Sequence, residues 1–149
     1  MEKQELISLL KTDVAKFNDL RGGKADPMDL SGADLRGANL QKAFLTRVDL
    51  SGAQLQNADL REANIGGTNL SGANLAGADL TSANMHRTNF RGASLAGAKI
   101  GGFAGEGRIC INASHFDGVA WDKEALQEIL DILNMNKSWR IKCEFEKKS

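Results

Sequence analysis

Residues 31–80 read SGADLRGANL QKAFLTRVDL SGAQLQNADL REANIGGTNL SGANLAGADL, and the same five-residue rhythm runs on to Ile100. From Leu30 to Ile100 every fifth position is apolar, and eleven of these fifteen slots are Leu. Ala stands two residues before the slot in eleven cases, and Asp or Asn stands immediately before it in eleven. A period of five suits no regular element. On an α-helix, five residues overshoot one turn by about 140°, which scatters the leucines around the cylinder. On a strand, an odd period sends alternate leucines to opposite faces. To keep every Leu on one side, the chain must turn within each unit. Gly two residues after the slot, in nine of the fifteen units, suits such turns.

A second period sets how many units make a coil. Ser-Gly-Ala begins at Ser31, Ser51 and Ser71, with Arg-Gly-Ala at Arg91, and Leu-Ala-Gly-Ala begins at Leu75 and Leu95. Twenty residues, or four units, predict a four-sided coil whose turns stack at about the 4.8 Å spacing of paired strands. The Leu and the Ala two before it fill the interior.

On these residues the chain resembles the pentapeptide-repeat family, and its small cyanobacterial-type members in particular. The Ala-Asp/Asn-Leu-x-x signature is met almost without interruption over residues 31–100. The resemblance implies an all-β solenoid, a right-handed quadrilateral β-helix, here of about four to five coils with α-helical caps at both ends. It implies little about function, because members that share this core have diverse roles.

The flanks complete one domain over residues 1–149. Residues 1–20 form an N-terminal helical cap, with Leu6, Ile7, Leu9, Leu10, Val14 and Phe17 at helical spacing. Regular repeats occupy 28–100 and an inserted loop 101–110. A last partial coil spans 111–121, where Ile111, Phe116 and Trp121 resume the pattern one residue out of phase. Residues 122–149 read as a helix N-capped by Asp122 and carrying Leu126, Ile129, Leu130 and Leu133, then a strand alternating Trp139, Ile141, Cys143 and Phe145. Solenoid ends need covers, which is the part these helices are expected to play. The strand 139–145 is the candidate for edge pairing, giving a monomer or a weak dimer.

Composition narrows the function classes. The 149 residues carry 19 Lys+Arg against 19 Asp+Glu, with aromatics at 5%. A neutral balance argues against a nucleic-acid partner, and so few aromatics argue against a base-stacking platform. No run approaches transmembrane length and no apolar leader is visible, which predicts a cytoplasmic chain without a membrane partner. Cys110 and Cys143 are the only cysteines, too few for a disulfide framework or a cysteine zinc site.

The sequence offers no catalytic, cofactor-binding or metal site, and the chain is expected not to be an enzyme. Asp34, Asp49, Asp59 and Asp79 share their slot with Asn39, Asn64, Asn69, Asn74, Asn84 and Asn89. Ionisation is therefore not what the slot requires, and local hydrogen bonding at the corners is expected instead of acid–base pairs. Ser31, Ser51 and Ser71 form a column without a His partner and read as turn residues. His86 and His115 face outward with no partner at ligand spacing, and Cys110 has no activating base.

What remains is a non-catalytic repeat scaffold for an unknown protein partner. Positions twenty apart share a face, so Phe44, Thr46 and Arg47 stack with Asn64, Gly66 and Gly67, then with Asn84, His86 and Arg87. Phe44 sits in the slot usually held by Asp or Asn, flanked by Lys42 and Arg47. Lys42, Phe44, Arg47, His86 and Arg87 are thus the candidate interaction patch. The competing reading packs Phe44 under the N-terminal helix. Two other functions compete with this one. The DNA-mimicking gyrase binders of the family need an acidic surface. Between Leu30 and Ile100 five acids (Asp34, Asp49, Asp59, Glu62, Asp79) face seven bases (Arg36, Lys42, Arg47, Arg61, Arg87, Arg91, Lys99), the wrong sign. An enzyme built on the inserted loop would draw on Glu106, Arg108, Cys110 and His115, which form no recognisable constellation.

Overall fold

The N-terminal stripe folds as two helices, α1 (Lys3–Thr12) and α2 (Val14–Arg21), in a computed structural model that describes residues 1–101 together with Val119, Ala120, Lys123 and Gln127. The break falls at Asp13, whose φ of −152° and ψ of 83° leave the helical region. Its carboxylate accepts the Lys16 N–H at 2.9 Å, so one residue ends α1 and caps α2. Gly22, at φ 52°, ends α2 by donating to the carbonyls of Asn18 and Asp19. Leu6, Ile7, Leu10 and Phe17 are buried against the coils, the last two completely.

The coils begin at β1 (Met28–Asp29), which pairs in parallel with β2 (Val48–Asp49). The same twenty-residue step recurs at Asp34–Gln54, Asn39–Asp59 and Phe44–Asn64, and continues to Asp79–Lys99. Following the five backbone N–H groups of one unit explains the signature, because each needs an acceptor. In the unit Ala73–Gly77, the Ala73 N–H donates to the Leu70 carbonyl at 3.1 Å and closes the preceding turn. The Asn74 N–H reaches back to Ala53 at 2.9 Å, while those of Leu75 and Gly77 reach forward to Ser94 and Ala96 at 2.8 and 2.9 Å. Only the Ala76 N–H has no backbone partner, and the Asn74 side-chain oxygen accepts it at 3.1 Å. Asp or Asn is needed before the apolar slot because its oxygen supplies that acceptor, and a carboxylate and an amide do so equally.

The corners explain the glycines. In each of the fourteen units from Gly32 to Gly97, the second residue after the apolar slot has φ between 56° and 70°. With the i to i+3 hydrogen bond, this is a type II turn. Glycine takes eight of these positions; Lys42, Arg47, Asn57, Glu62, Ser82 and Arg87 take the others.

Inside, the Leu and Ala columns are buried along the whole described stack, from Leu30 to Ile100. One column is wider, with Val48, Thr68 and Thr88 where Ala is usual. The fully buried Thr68 and Thr88 hydroxyls donate to the carbonyls of Leu45 and Ile65 at 2.7 Å, so neither is left unpaired.

At the N-terminal end, α2 stands where a preceding coil would lie. The Asn18 side chain donates to the Lys42 carbonyl at 3.0 Å and accepts the Phe44 N–H at 2.7 Å. The Thr46 carbonyl would be served in this register by residue 27, as Ser51 is by Gly32. Residue 27 is Pro and has no N–H. The Arg21 guanidinium donates to Thr46 instead, at 2.7 Å, and to the Asp26 carbonyl at 2.7 Å. Lys3 fastens α1 to the first corner through Asp29 and Ser31, at 3.1 and 3.0 Å.

At the other end Ser94 pairs with Ala120, 26 residues on. The chain thus returns to the stack six residues later than the regular step would bring it. Lys123 and Gln127 are helical and exposed. The rest of the expected C-terminal helix lies outside the described residues. So do residues 102–110 of the inserted loop, Ile111, Phe116, Trp121, Cys110, His115 and the strand 139–145.

Candidate interaction site

Most outward side chains on the coils are occupied by the coils themselves. Asp34 and Asp59 each accept the N–H two residues on and hold the guanidinium at that same position, Arg36 and Arg61. The neighbouring guanidinium keeps both carboxyls well below the usual carboxylate range. Asp29 is held down to about 2, chiefly by the Ser31 N–H, then by the Ser31 hydroxyl and Lys3. On two faces the amides form ladders along the stack: Asn89 donates to Asn69 at 3.0 Å, Asn69 to Asp49 at 3.1 Å, and Asn84 to Asn64 at 3.2 Å. Ser31, Ser51 and Ser71 are turn residues whose N–H groups are taken by Asp29, Asp49 and Asn69.

One corner departs from this. Thr46–Arg47, Gly66–Gly67 and His86–Arg87 stack there in successive coils and line a notch of about 330 Å³ together with Asn64 and Asn84. Two consecutive glycines in the middle coil leave a gap between the side chains above and below. The Arg47 stem leans across it, with Cγ 3.6 Å from where a Gly67 side chain would begin. Arg47 and Arg87 are exposed, and neither makes an ion pair among the described residues. The half-buried His86 has no partner for its Nδ1 among the described residues, nor has Thr46 for its buried hydroxyl.

Phe44 explains a further feature of this corner. It fills the Asp/Asn slot without supplying an acceptor, so the Thr46 N–H lacks the side-chain partner it would have in a regular unit. The ring is half-buried, and Arg21 lies 5.9 Å from its centroid. Its N–H is held by Asn18, so Phe44 is tied through its backbone to the N-terminal cap while the ring keeps part of its surface in solvent. Lys42 stands at the neighbouring corner, exposed and paired with Glu62 at 3.6 Å. The structure therefore brings Arg47, His86 and Arg87 together and sets Phe44 and Lys42 apart from them.

Sequence reasoning placed these columns but passed over Asn18 and Arg21, which resemble ordinary polar residues near a helix end. The available signal was Pro27, which leaves one carbonyl of the next coil in need of a donor. Among the described residues, no group of three His, Cys, Asp or Glu side chains is placed to hold a metal ion, and no helix is long and apolar enough to cross a membrane.

A sequence profile described as Pentapeptide repeats matches in eight copies, over residues 29–67 and 58–97. No curated protein matches the chain. Among solved structures it is similar to HetL from the cyanobacterium Nostoc sp. strain PCC 7120, described as involved in heterocyst differentiation regulation. The identity is 33% over 62% of this chain and 38% of that one, with a TM-score of 0.47. Rfr23 from the cyanobacterium Cyanothece 51142 is 33% identical over 68% and 65% of the two chains, with a TM-score of 0.45. The pentapeptide repeat protein alr5209 from Nostoc PCC 7120 is 31% identical over 74% and 76%, with a TM-score of 0.37. The chain thus spans under half the length of HetL and just under two thirds of Rfr23.

Proposed function

Because the chain belongs to the pentapeptide repeat family, and two arginines around one notch are unpaired among the described residues, we propose that it is a non-catalytic scaffold that binds another protein there. The observation that carries this reading is the contrast between corners. Arg36, Lys42 and Arg61 are engaged by carboxylates, whereas Arg47 and Arg87 flank bare Gly66 and Gly67. The planar fork of arginine is pre-organised, so less freedom is lost per hydrogen bond formed, and arginine is enriched at interface hot spots. The mixed charge of the coils is the reason a protein is preferred to nucleic acid, and it opposes the DNA-mimicking reading. We place the protein in the cytoplasm, without a membrane partner. Affinity capture from the producing organism, run in parallel with the wild type and an Arg47→Gly/Arg87→Gly variant, tests the function. A partner held by the wild type and lost from the variant is expected. Identical captured sets would overturn it, as would turnover in a general hydrolase screen.

A further inference from the structure

Resting on that reading, we propose that the notch is a carboxylate site that takes acidic side chains from an extended segment of the partner. Asn64 and Asn84 of its lining are bonded to one another and to the Gly66 and His86 N–H groups, and the donors left over are aimed at nothing within the described fold. Two guanidiniums are unpaired, and the Thr46 N–H is unclaimed because Phe44 replaces the usual Asp or Asn. No carboxylate lines the notch. Guanidinium groups match the planar oxygens of a carboxylate in a two-bond fork, which is where arginine exceeds lysine.

Spacing sets the register of the guest. Arg47 and Arg87 are two coils apart, about 9.6 Å along the stack at the strand spacing, and an extended chain covers nearly that distance in three residues. Acidic residues at i and i+3 of an extended segment therefore meet both arginines, with small residues between them passing over Gly66 and Gly67. A phosphate backbone fits less well. It draws affinity from many released counterions, and the cations at Arg36, Lys42 and Arg61 are already paired.

The backbone supplies an unusually clean control. Arg47 and Arg87 both sit at φ near 60°, at 59° and 57°, where the other corners favour glycine. Exchange for Gly removes the charge without asking the turn to change. The probe is the fluorescein-labelled peptide Gly-Glu-Gly-Gly-Glu-Gly, followed by anisotropy against the full chain at low salt. Its Gln counterpart and a dT oligonucleotide of equal charge serve as comparisons. Each single Gly variant should weaken peptide binding roughly tenfold, as expected for a lost charge-assisted hydrogen-bond pair. The Gln peptide should bind at least about tenfold more weakly than the acidic one. Equal binding of the Glu and Gln peptides, or by the wild type and the double variant, overturns the proposal. So does tighter binding of the oligonucleotide through the same arginines. Should the peptide fail while a captured protein still depends on Arg47 and Arg87, the carboxylate assignment falls and the scaffold function stands.

Discussion

Replacing Arg21 by Met should be the most damaging single change outside the apolar columns. The side chain is 5% exposed and donates at 2.7 Å to both Asp26 and Thr46, the latter in place of the N–H that Pro27 lacks. Hydrogen bonds from a charged donor contribute about 1.5–3 kcal/mol each, so the gross loss is about 3–6 kcal/mol. Against this, Met relieves the burial of a guanidinium, whose desolvation lowers its pKa, and it keeps the aliphatic stem packed. The net cost should be about 2–4 kcal/mol, which for a chain of this length lowers Tm by about 5–15 °C. Because each coil contacts only its neighbours, the damage should be local at first. Hydrogen exchange should therefore show α2 and residues 42–46 losing protection ahead of the Leu75–Leu95 region. Arg21→Lys should fall between the two, since an ammonium lacks the fork that reaches both carbonyls. An unfolding free energy from urea titration within about 0.5 kcal/mol of the wild type for Arg21→Met would refute the account of the cap.

Three further outcomes follow from the coils. The Arg47→Gly/Arg87→Gly variant should be as stable as the wild type or more so. Glycine holds the same left-handed turn without the Cβ clash, which relieves about 1–2 kcal/mol per residue, against about 0.5–1 kcal/mol of glycine entropy; a lowered Tm would contradict this. Asn69→Ala should cost about 1–3 kcal/mol by calorimetry, because it orphans the Ser71 N–H and breaks the ladder to Asp49 and Asn89. The depressed carboxyls of Asp29, Asp34 and Asp59 contribute stability that is complete above the ordinary carboxylate range, near pH 4, and is lost as pH falls toward their folded values. For Asp29 that window closes at about 2. Asp59→Asn keeps the acceptor for Arg61 N–H but removes the titration, so its Tm should fall less between pH 4 and pH 2 than that of the wild type.

The coils were legible because one side chain does one task at each of five positions. A Leu every fifth residue excluded helix and strand together, and free exchange of Asp for Asn pointed to an acceptor oxygen before any bond was seen. The cap was less legible. Asp13 sits within an apolar helical stripe, and only its bond to the Lys16 N–H shows that it divides that stripe. The state of Phe44 depends on where α2 lies, which no short-range pattern sets. The notch was half visible: the stacking of Arg47, Gly67 and Arg87 follows from the period of twenty. That Lys42 is paired and these arginines are not depends on side-chain reach, which spacing alone does not determine.

The 26-residue step from Ser94 to Ala120 carries a consequence for how such a chain can change. Ala120 still exchanges backbone hydrogen bonds with Ala93 and Leu95, so the longer connection leaves the pairing at that position intact. Extra chain between two coils is then compatible with the stack wherever the pairing residues return to register, whereas one residue added inside a strand would send every following Leu out of the core. The stack behaves as a rack with fixed shelves and free brackets, able to gain a new surface at one edge without renegotiating its interior.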